Sequence, residues 1–375
     1  MREADTAVVG AGVVGCAVAL ALARRGAAVA LLEAQAEPGL AASGTNSGVL
    51  HTGFDSAPGQ LETELILRSA RLRNPVLDAL GVPVLRCGAL LRPLSSGDRG
   101  AVEELARNAE RNGVPAWVEG GALRVPGEAV TDPVAFTSGL AAAAVRHGAQ
   151  LRTGFRVVGV RRESDGLALA AEGGSRVRCR VAVNCAGLHA DEVARLAGDD
   201  SFQVYPRKGE FLVFDPPDGR GLERVLLPVP TKRTKGVLVF PTVDGKIAAG
   251  PTAVDQDDKQ DWSVRPQARE EILPKAVAMH PPLEGVEPIA AYAGLRPAGR
   301  GVNYLIGRSH ACDALINVAA IRSTGLTASL GIAERVCRLV GELGVRLGAE
   351  LPLEPGEPPR PAVPWWRRTA ELVAR

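Results

Sequence analysis

The chain has 375 residues, 46% of them apolar and 23% charged. That is enough for more than one domain with ordinary cores, and it excludes a disordered chain or a collagen-like fibre. Lys+Arg 44 against Asp+Glu 42 leaves a formal charge of +2, and aromatic residues make up 4%, so the basic face and stacking rings of a dedicated nucleic-acid binder are missing.

Thr6–Val9 reads as a short apolar strand running into Gly10-Ala11-Gly12-Val13-Val14-Gly15. Cys16–Arg25 then reads as a helix closed by Gly26, and Ala27–Leu32 as a second strand ending at Glu33. The apolar run Val13–Ala23 imitates a signal peptide, but Asp5 precedes it and Arg24 and Arg25 stop it short of the ~20 residues of a membrane span. It reads as a buried helix of a cytoplasmic protein. Chance alone places three glycines at this spacing about 0.6 times in so glycine-rich a chain, so the weight lies on the whole strand–turn–helix–strand–acid unit. In such a unit Gly10 allows the tight turn, Gly12 lets a pyrophosphate approach the backbone, and Gly15 lets helix and strand pack closely. The helix start at Val13 faces phosphate, while Glu33, followed by Ala34, accepts ribose hydroxyls. The unit alone leaves FAD and NAD open.

Residues 39–60 form a long glycine-rich loop with no helical or alternating pattern, longer than the usual connection of about 4–6 residues and therefore a functional candidate. Its histidine, His51, is the only group there that titrates near neutrality. Leu61–Leu80 has helical spacing with Arg68, Arg71 and Arg73 on the polar side. Cys87–Leu94 reads as a strand and Ser95–Gly113 as an exposed helix. Asp132 before Pro133 caps a helix over Val134–His147. Strands follow at Gln150–Arg161, Leu167–Glu172 and Arg176–Cys185, the last stopping at Ala186-Gly187. Gly209–Phe214, Arg224–Pro228, Gly236–Pro241 and Lys246–Gly250 predict an antiparallel sheet. After a helix near Gln267–His280 come Tyr292–Pro297, read as leading into a turn, a strand at Ala314–Ala319, and a last helix over Ala328–Leu343. Beyond Leu351 the chain is proline-rich and ends with Trp365-Trp366-Arg367-Arg368, which reads as a loose tail or as a contact for a membrane surface or partner. The six cysteines are scattered without CxxC pairs or zinc spacing, which suits a reducing compartment and gives no metal site.

Taken together, GAGVVG with Glu33, SGTNSGVLHTGFDSAPG, VNCAGLHAD, PRKGEFLVFD, GPTAVDQDD, YAGLRP and INVAAIRSTGLTASLGIAE resemble the FAD-dependent oxidoreductases of the D-amino-acid-oxidase-like superfamily. The likeness is greatest to the anaerobic-type glycerol-3-phosphate dehydrogenase A subunit and to L-2-hydroxyglutarate oxidase. The resemblance implies an α/β fold with a Rossmann-like FAD-binding domain (1–80, 131–200 and 294–345), an antiparallel-sheet substrate domain (81–130 and 201–293) and a tail over 346–375. It implies FAD as cofactor. Gly10, Gly12, Val13, Gly15, Glu33 and Ala34 would hold the ADP half, Val157 the adenine, and Ala186 and Gly187 the ribose–pyrophosphate. Ser43, Thr45, Asn46 and Ser47 would line the flavin edge, with Gly294 nearby, and Gly325, Leu326 and Thr327 would offer N–H groups to the pyrimidine side. Two departures stand out. No cysteine-rich module follows the tail, which implies that a separate protein, oxygen or a soluble carrier takes the electrons. The usual Val-Ala-Gly-Ile reads Val318-Ala319-Ala320-Ile321.

Oxidising an alcohol at a flavin needs a base for the hydroxyl proton and an anchor for the substrate's charge. His51 is the candidate base, against a reading in which it only hydrogen-bonds the loop. Arg296 is the candidate anchor, since a guanidinium grips a carboxylate or phosphate with two parallel bonds; Arg322 and Lys208 are secondary anion candidates. The expected activity is oxidation of the secondary alcohol of a small anionic substrate, glycerol 3-phosphate to dihydroxyacetone phosphate. The alternatives are a 2-hydroxy acid such as L-2-hydroxyglutarate, an amino acid, or a non-catalytic FAD-binding subunit of a larger complex. An NAD-dependent dehydrogenase predicts a colourless protein.

Overall fold

The run of small and aliphatic residues after the glycine turn forms a helix, Val13–Ala23, buried at nine of its eleven positions. A computed structural model describes residues 3–217, 219–230, 236–357 and 363–373. The helix lies between the helices Pro133–Arg146 and Gly325–Glu342 and shares one core with them through Val18, Leu22, Leu140, Ile332 and Val336. Burial from several sides explains why a helix of the folded chain looks like a leader. Asp132 caps the Pro133–Arg146 helix as its sequence predicts, accepting from the N–H groups of Val134 and Ala135.

Beneath the helices lies a parallel sheet in the order Gln150–Arg152, Val29–Leu32, Ala4–Val9, Arg176–Asn184, Leu315–Ala319. Strands 29–32 and 315–319 are buried throughout, as expected for a sheet covered on both faces. The single strand predicted over Gln150–Arg161 is two. Gln150–Arg152 joins the parallel sheet, whereas Val157–Glu163 pairs antiparallel with Gly166–Ala171. The intervening Gly154 takes a positive φ, and the two strands lie at opposite edges of the same sheet.

The second sheet runs Ala290–Gly299, Val204–Phe214, Ile247–Gly250, Leu238–Pro241, Val225–Pro228, Ala89–Arg92, Ala122–Val125, Trp117–Glu119. All of its neighbours are antiparallel except Val225–Pro228 with Ala89–Arg92. The helix Ala268–Met279 covers one face through Ile272, Ala276 and Met279. Two expectations change here. Arg296 lies inside a ten-residue strand rather than before a turn, and that strand belongs to the second sheet. The crossover back to the cofactor half therefore follows Gly299 instead of falling at 294.

Part of the tail expected to be loose is helical. Trp365–Val373 is a helix whose Trp365 and Trp366 are buried, so neither ring is presented to a membrane or a partner. Trp365 meets Tyr292 edge-on, and Tyr292 stacks on Phe211 with ring centroids 4.9 Å apart. The Trp366 indole N–H donates to the Asp244 carboxylate, and the Thr369 hydroxyl donates to the Gly44 carbonyl. Residues 358–362, in the proline-rich stretch before this helix, lie outside the described residues. Among the described residues no helix is long and apolar enough to cross a membrane.

Candidate active site

The first strand delivers Gly10 at φ +99°, and a side chain there would drive its Cβ to 2.5 Å from the Cys185 carbonyl oxygen. A Cβ on Gly15 would fall 1.9 Å from the Gly10 carbonyl oxygen. Helix and turn are therefore in direct backbone contact, and the space above them stays open. That space is a cavity of about 500 Å³ lined by Gly10, Gly12, Val13, Glu33, Ala34, Val157, Ala186, Gly187, Gly325 and Leu326, among others. The Ser43 hydroxyl accepts from the Val13 N–H at the helix start, and Glu33 accepts from the Ala11 and Gln35 N–H groups. The Gly325–Glu342 helix also begins on the cavity wall, leaving the N–H groups of its first turn without intrahelical acceptors. A cavity lined by a glycine cradle, an acid and a second helix N-terminus fits a dinucleotide with a ring system.

Not every expected contact reaches this cavity. Ser43 sits at the phosphate end. Thr45, Ser47 and Gly294 line the neighbouring chamber instead, and only Asn46 of that group borders both. Thr327 turns its hydroxyl to the loop, accepting from the His51 N–H at 3.1 Å. Ala320 holds a left-handed φ of +55° on the cavity wall, a conformation that costs alanine what glycine is spared. Sequence reasoning missed Lys259, Gln260 and Trp262, which also line this cavity. Lys259 bonds both Asp191 and Glu192 at 2.8 Å.

The neighbouring chamber, about 210 Å³, shares Ala42, Asn46 and Arg322 with the cofactor cavity. His51, Arg207, Arg296 and Arg322 line it. Behind His51 stands Glu128, wholly buried, its Oε2 accepting from the ring Nδ1 at 2.9 Å. Burial alone would raise this carboxyl, but the His51 charge and hydrogen bonds from His51 and Thr52 hold it below its ordinary range. Arg73, expected on the polar side of its helix, is instead buried and donates to the carbonyls of His51 and Gly127.

Arg296 donates through Nε to the Arg207 carbonyl and through Nη2 to those of Lys208 and Thr252. Burial, and after it the charge of Arg207, pushes the guanidinium down to about 10, still cationic at neutral pH. Arg207 stands opposite on the neighbouring strand, and two residues along it is Gly209, where a Cβ would come 3.0 Å from Nη2, so the glycine makes room for the fork. Arg207 also faces the chamber but is bound to the Asp255 carboxylate through two bonds. Arg322, exposed and at φ +56°, makes no side-chain ion pair among the described residues. Lys208 is the correction. Strand alternation turns it to the opposite face from Arg207 and Gly209. Its ammonium, 1% exposed, is bound to Asp261 at 2.7 Å and the Ser263 carbonyl at 3.0 Å.

Among the described residues, no group of three or more His, Cys, Asp or Glu side chains is placed to hold a metal. Two cavities sharing a wall, one shaped for a dinucleotide and one lined by a histidine and cations, define a two-domain dinucleotide-dependent oxidoreductase. Within that class the chain belongs to the family of FAD dependent oxidoreductases, which it matches over residues 5–339. It is 28% identical to a glycerol 3-phosphate dehydrogenase of Caloramator mitchellensis over 92% of this chain and 75% of that protein. It is 28% identical to a glycerol 3-phosphate oxidase of Mycoplasma pneumoniae over 91% of this chain and 95% of that one. The solved structure of reduced L-alpha-glycerophosphate oxidase from M. pneumoniae with FAD bound aligns with a TM-score of 0.88 at 26% identity. It covers 96% of this chain and all of that one. A glycine oxidase from Bacillus cereus, 20% identical over 91% of this chain and 98% of its own, has a TM-score of 0.79 and shares the fold.

Proposed function

We propose that this enzyme oxidises the secondary alcohol of sn-glycerol 3-phosphate to the ketone of dihydroxyacetone phosphate. The observation that carries the reading is the chamber itself. His51, backed by a carboxylate, and two arginines without carboxylate partners, Arg296 and Arg322, face one small space bordering the cofactor cavity. Arg296 and Arg322 would take the phosphate dianion, and His51 would receive the hydroxyl proton. The contacts assigned to FAD are Gly10, Gly12, Val13, Glu33, Ala34, Ser43, Asn46, Val157, Ala186, Gly187, Gly325 and Leu326. When bound, the flavin supplies the acceptor for the hydride leaving the substrate carbon.

A second reading, oxidation of L-2-hydroxyglutarate, is favoured by likeness to the mitochondrial L-2-hydroxyglutarate dehydrogenase of Mus musculus, 28% identical over 66% of this chain. The relatives carry both names, oxidase and dehydrogenase, so we assign the onward electrons to oxygen or to a separate acceptor protein. Anaerobic mixing with glycerol 3-phosphate, L-2-hydroxyglutarate and several amino acids tests the reading. Glycerol 3-phosphate is expected to bleach the 450 nm flavin band at micromolar to millimolar concentration. Bleaching by another member of the panel alone overturns it. Peroxide release in air then identifies oxygen as acceptor.

A further inference from the structure

Two buried groups behind His51, Glu128 and Arg73, have no part in the reaction so far. We propose that Glu128 is the positioning residue of His51, fixing which ring nitrogen is free to take the substrate's proton, with Arg73 holding the two segments together. The inference rests on the reading of His51 as proton acceptor.

The hydrogen bonds around the carboxylate carry it. Glu128 Oε1 accepts from the Thr52 backbone N–H at 2.6 Å and from the Thr52 hydroxyl at 2.8 Å, while Oε2 accepts from His51 Nδ1 at 2.9 Å. The Thr52 N–H and hydroxyl and the His51 ring around this wholly buried carboxyl hold it below its ordinary range, so it is ionised at neutral pH. The carboxylate is therefore an acceptor only, Nδ1 carries the hydrogen, and the lone pair falls on Nε2. No protein group among the described residues claims Nε2, and the ring borders the chamber. The same carboxylate also fixes the residue after the histidine, so it sets the aim of the ring as well as its tautomer.

Arg73 supplies the frame. Its Nη1 donates to the His51 carbonyl and its Nη2 to the Gly127 carbonyl, each at 2.6 Å. One guanidinium thus ties the loop at His51 to the turn at Gly127. In the proton step the substrate O–H bond breaks, an Nε2–H bond forms, and the ring becomes an imidazolium against Glu128. That charge matters because the other groups facing the ring across the chamber are Arg207, Arg296 and Arg322. The one acid there, Glu62, already accepts from Thr324 and Asn303.

The test compares Glu128→Gln and Glu128→Asp with the wild-type holoenzyme, using glycerol 3-phosphate from pH 5 to 9. Glu128→Gln is expected to keep its flavin and a KM within about threefold, while kcat falls by about 10²–10⁴-fold. The acid limb of its kcat/KM profile is expected to move to lower pH, because the protonated ring has lost its counter-charge. Glu128→Asp should recover part of the rate. A Glu128→Gln enzyme whose profile superimposes on the wild type overturns the proposal. Should that variant not fold, ring-¹⁵N-histidine spectra of the wild-type flavoprotein decide, with His51 assigned by its loss in His51→Gln. A protonated Nδ1 and bare Nε2 are expected, and the reverse tautomer overturns the inference. The spectra need no substrate. If glycerol 3-phosphate leaves the flavin oxidised, the substrate reading fails and the profiles are taken with the panel member that bleaches it.

Discussion

The cradle and the chamber recognise their ligands by opposite means. The cradle's motif is one stretch of 33 residues at the start of the chain, and its chief device is the removal of side chains, so that backbone meets backbone, Gly15 against Gly10 within the stretch and Gly10 against Cys185 beyond it. The chamber is lined by side chains brought together from residues 51, 207, 296 and 322, the first three held by partners elsewhere in the chain. Damage to the first should cost the cofactor. Damage to the second should spare the cofactor and cost the chemistry.

The largest effect is expected at Gly15. Gly15→Ala puts a methyl carbon where the Gly10 carbonyl oxygen stands, and the chain should purify without flavin, read as loss of the 450 nm band relative to 280 nm. A yellow, stoichiometric Gly15→Ala protein would break the comparison at its root. Next comes Arg296→Met, which should retain flavin while KM for glycerol 3-phosphate rises about 30-fold or more, the scale of losing one partner of a buried charge pair. Because the guanidinium also ties three backbone carbonyls, the melting temperature should fall too, and an unchanged KM would remove Arg296 from recognition. Lys208→Met is the smallest for catalysis: KM within about twofold, with about 1–3 kcal/mol of stability lost on unpairing buried polar groups. This pair also has a pH signature. The Lys208 ammonium, then the Ser263 hydroxyl, hold the Asp261 carboxyl down at about 2. Its folded value lies below the unfolded one, so its contribution is complete above about pH 4 and is lost as pH falls toward 2. Acid unfolding of Lys208→Met should show less of that loss. A large KM change in this variant would return Lys208 to the substrate.

The sequence revealed the cradle almost entirely, because its pattern is local: strand, glycines, helix, strand and acid follow one another without interruption. It also pointed to His51 and Arg296, whose neighbours are short motifs. It could not show Glu128, since one glutamate in a glycine–proline turn has no periodicity to mark it, and its meaning arises only when that turn folds against residue 51. Arg73 was hidden for a related reason. Helical spacing placed it among Arg68 and Arg71 on a wet face, whereas a loop crossing that face buries it. Lys208 differs because a cation next to a glycine in a charged motif looks available until strand alternation assigns it a side.

The hydroxyl of Thr369 on the Gly44 carbonyl joins residues 325 positions apart. At the usual pace of protein synthesis, roughly 5–20 residues per second, about 16 to 65 s separate the appearance of these partners. The nucleotide half can thus gather its first strands long before the ribosome delivers the helix that pins the loop at Gly44, and a chain cut short near its end would emerge with that loop untethered.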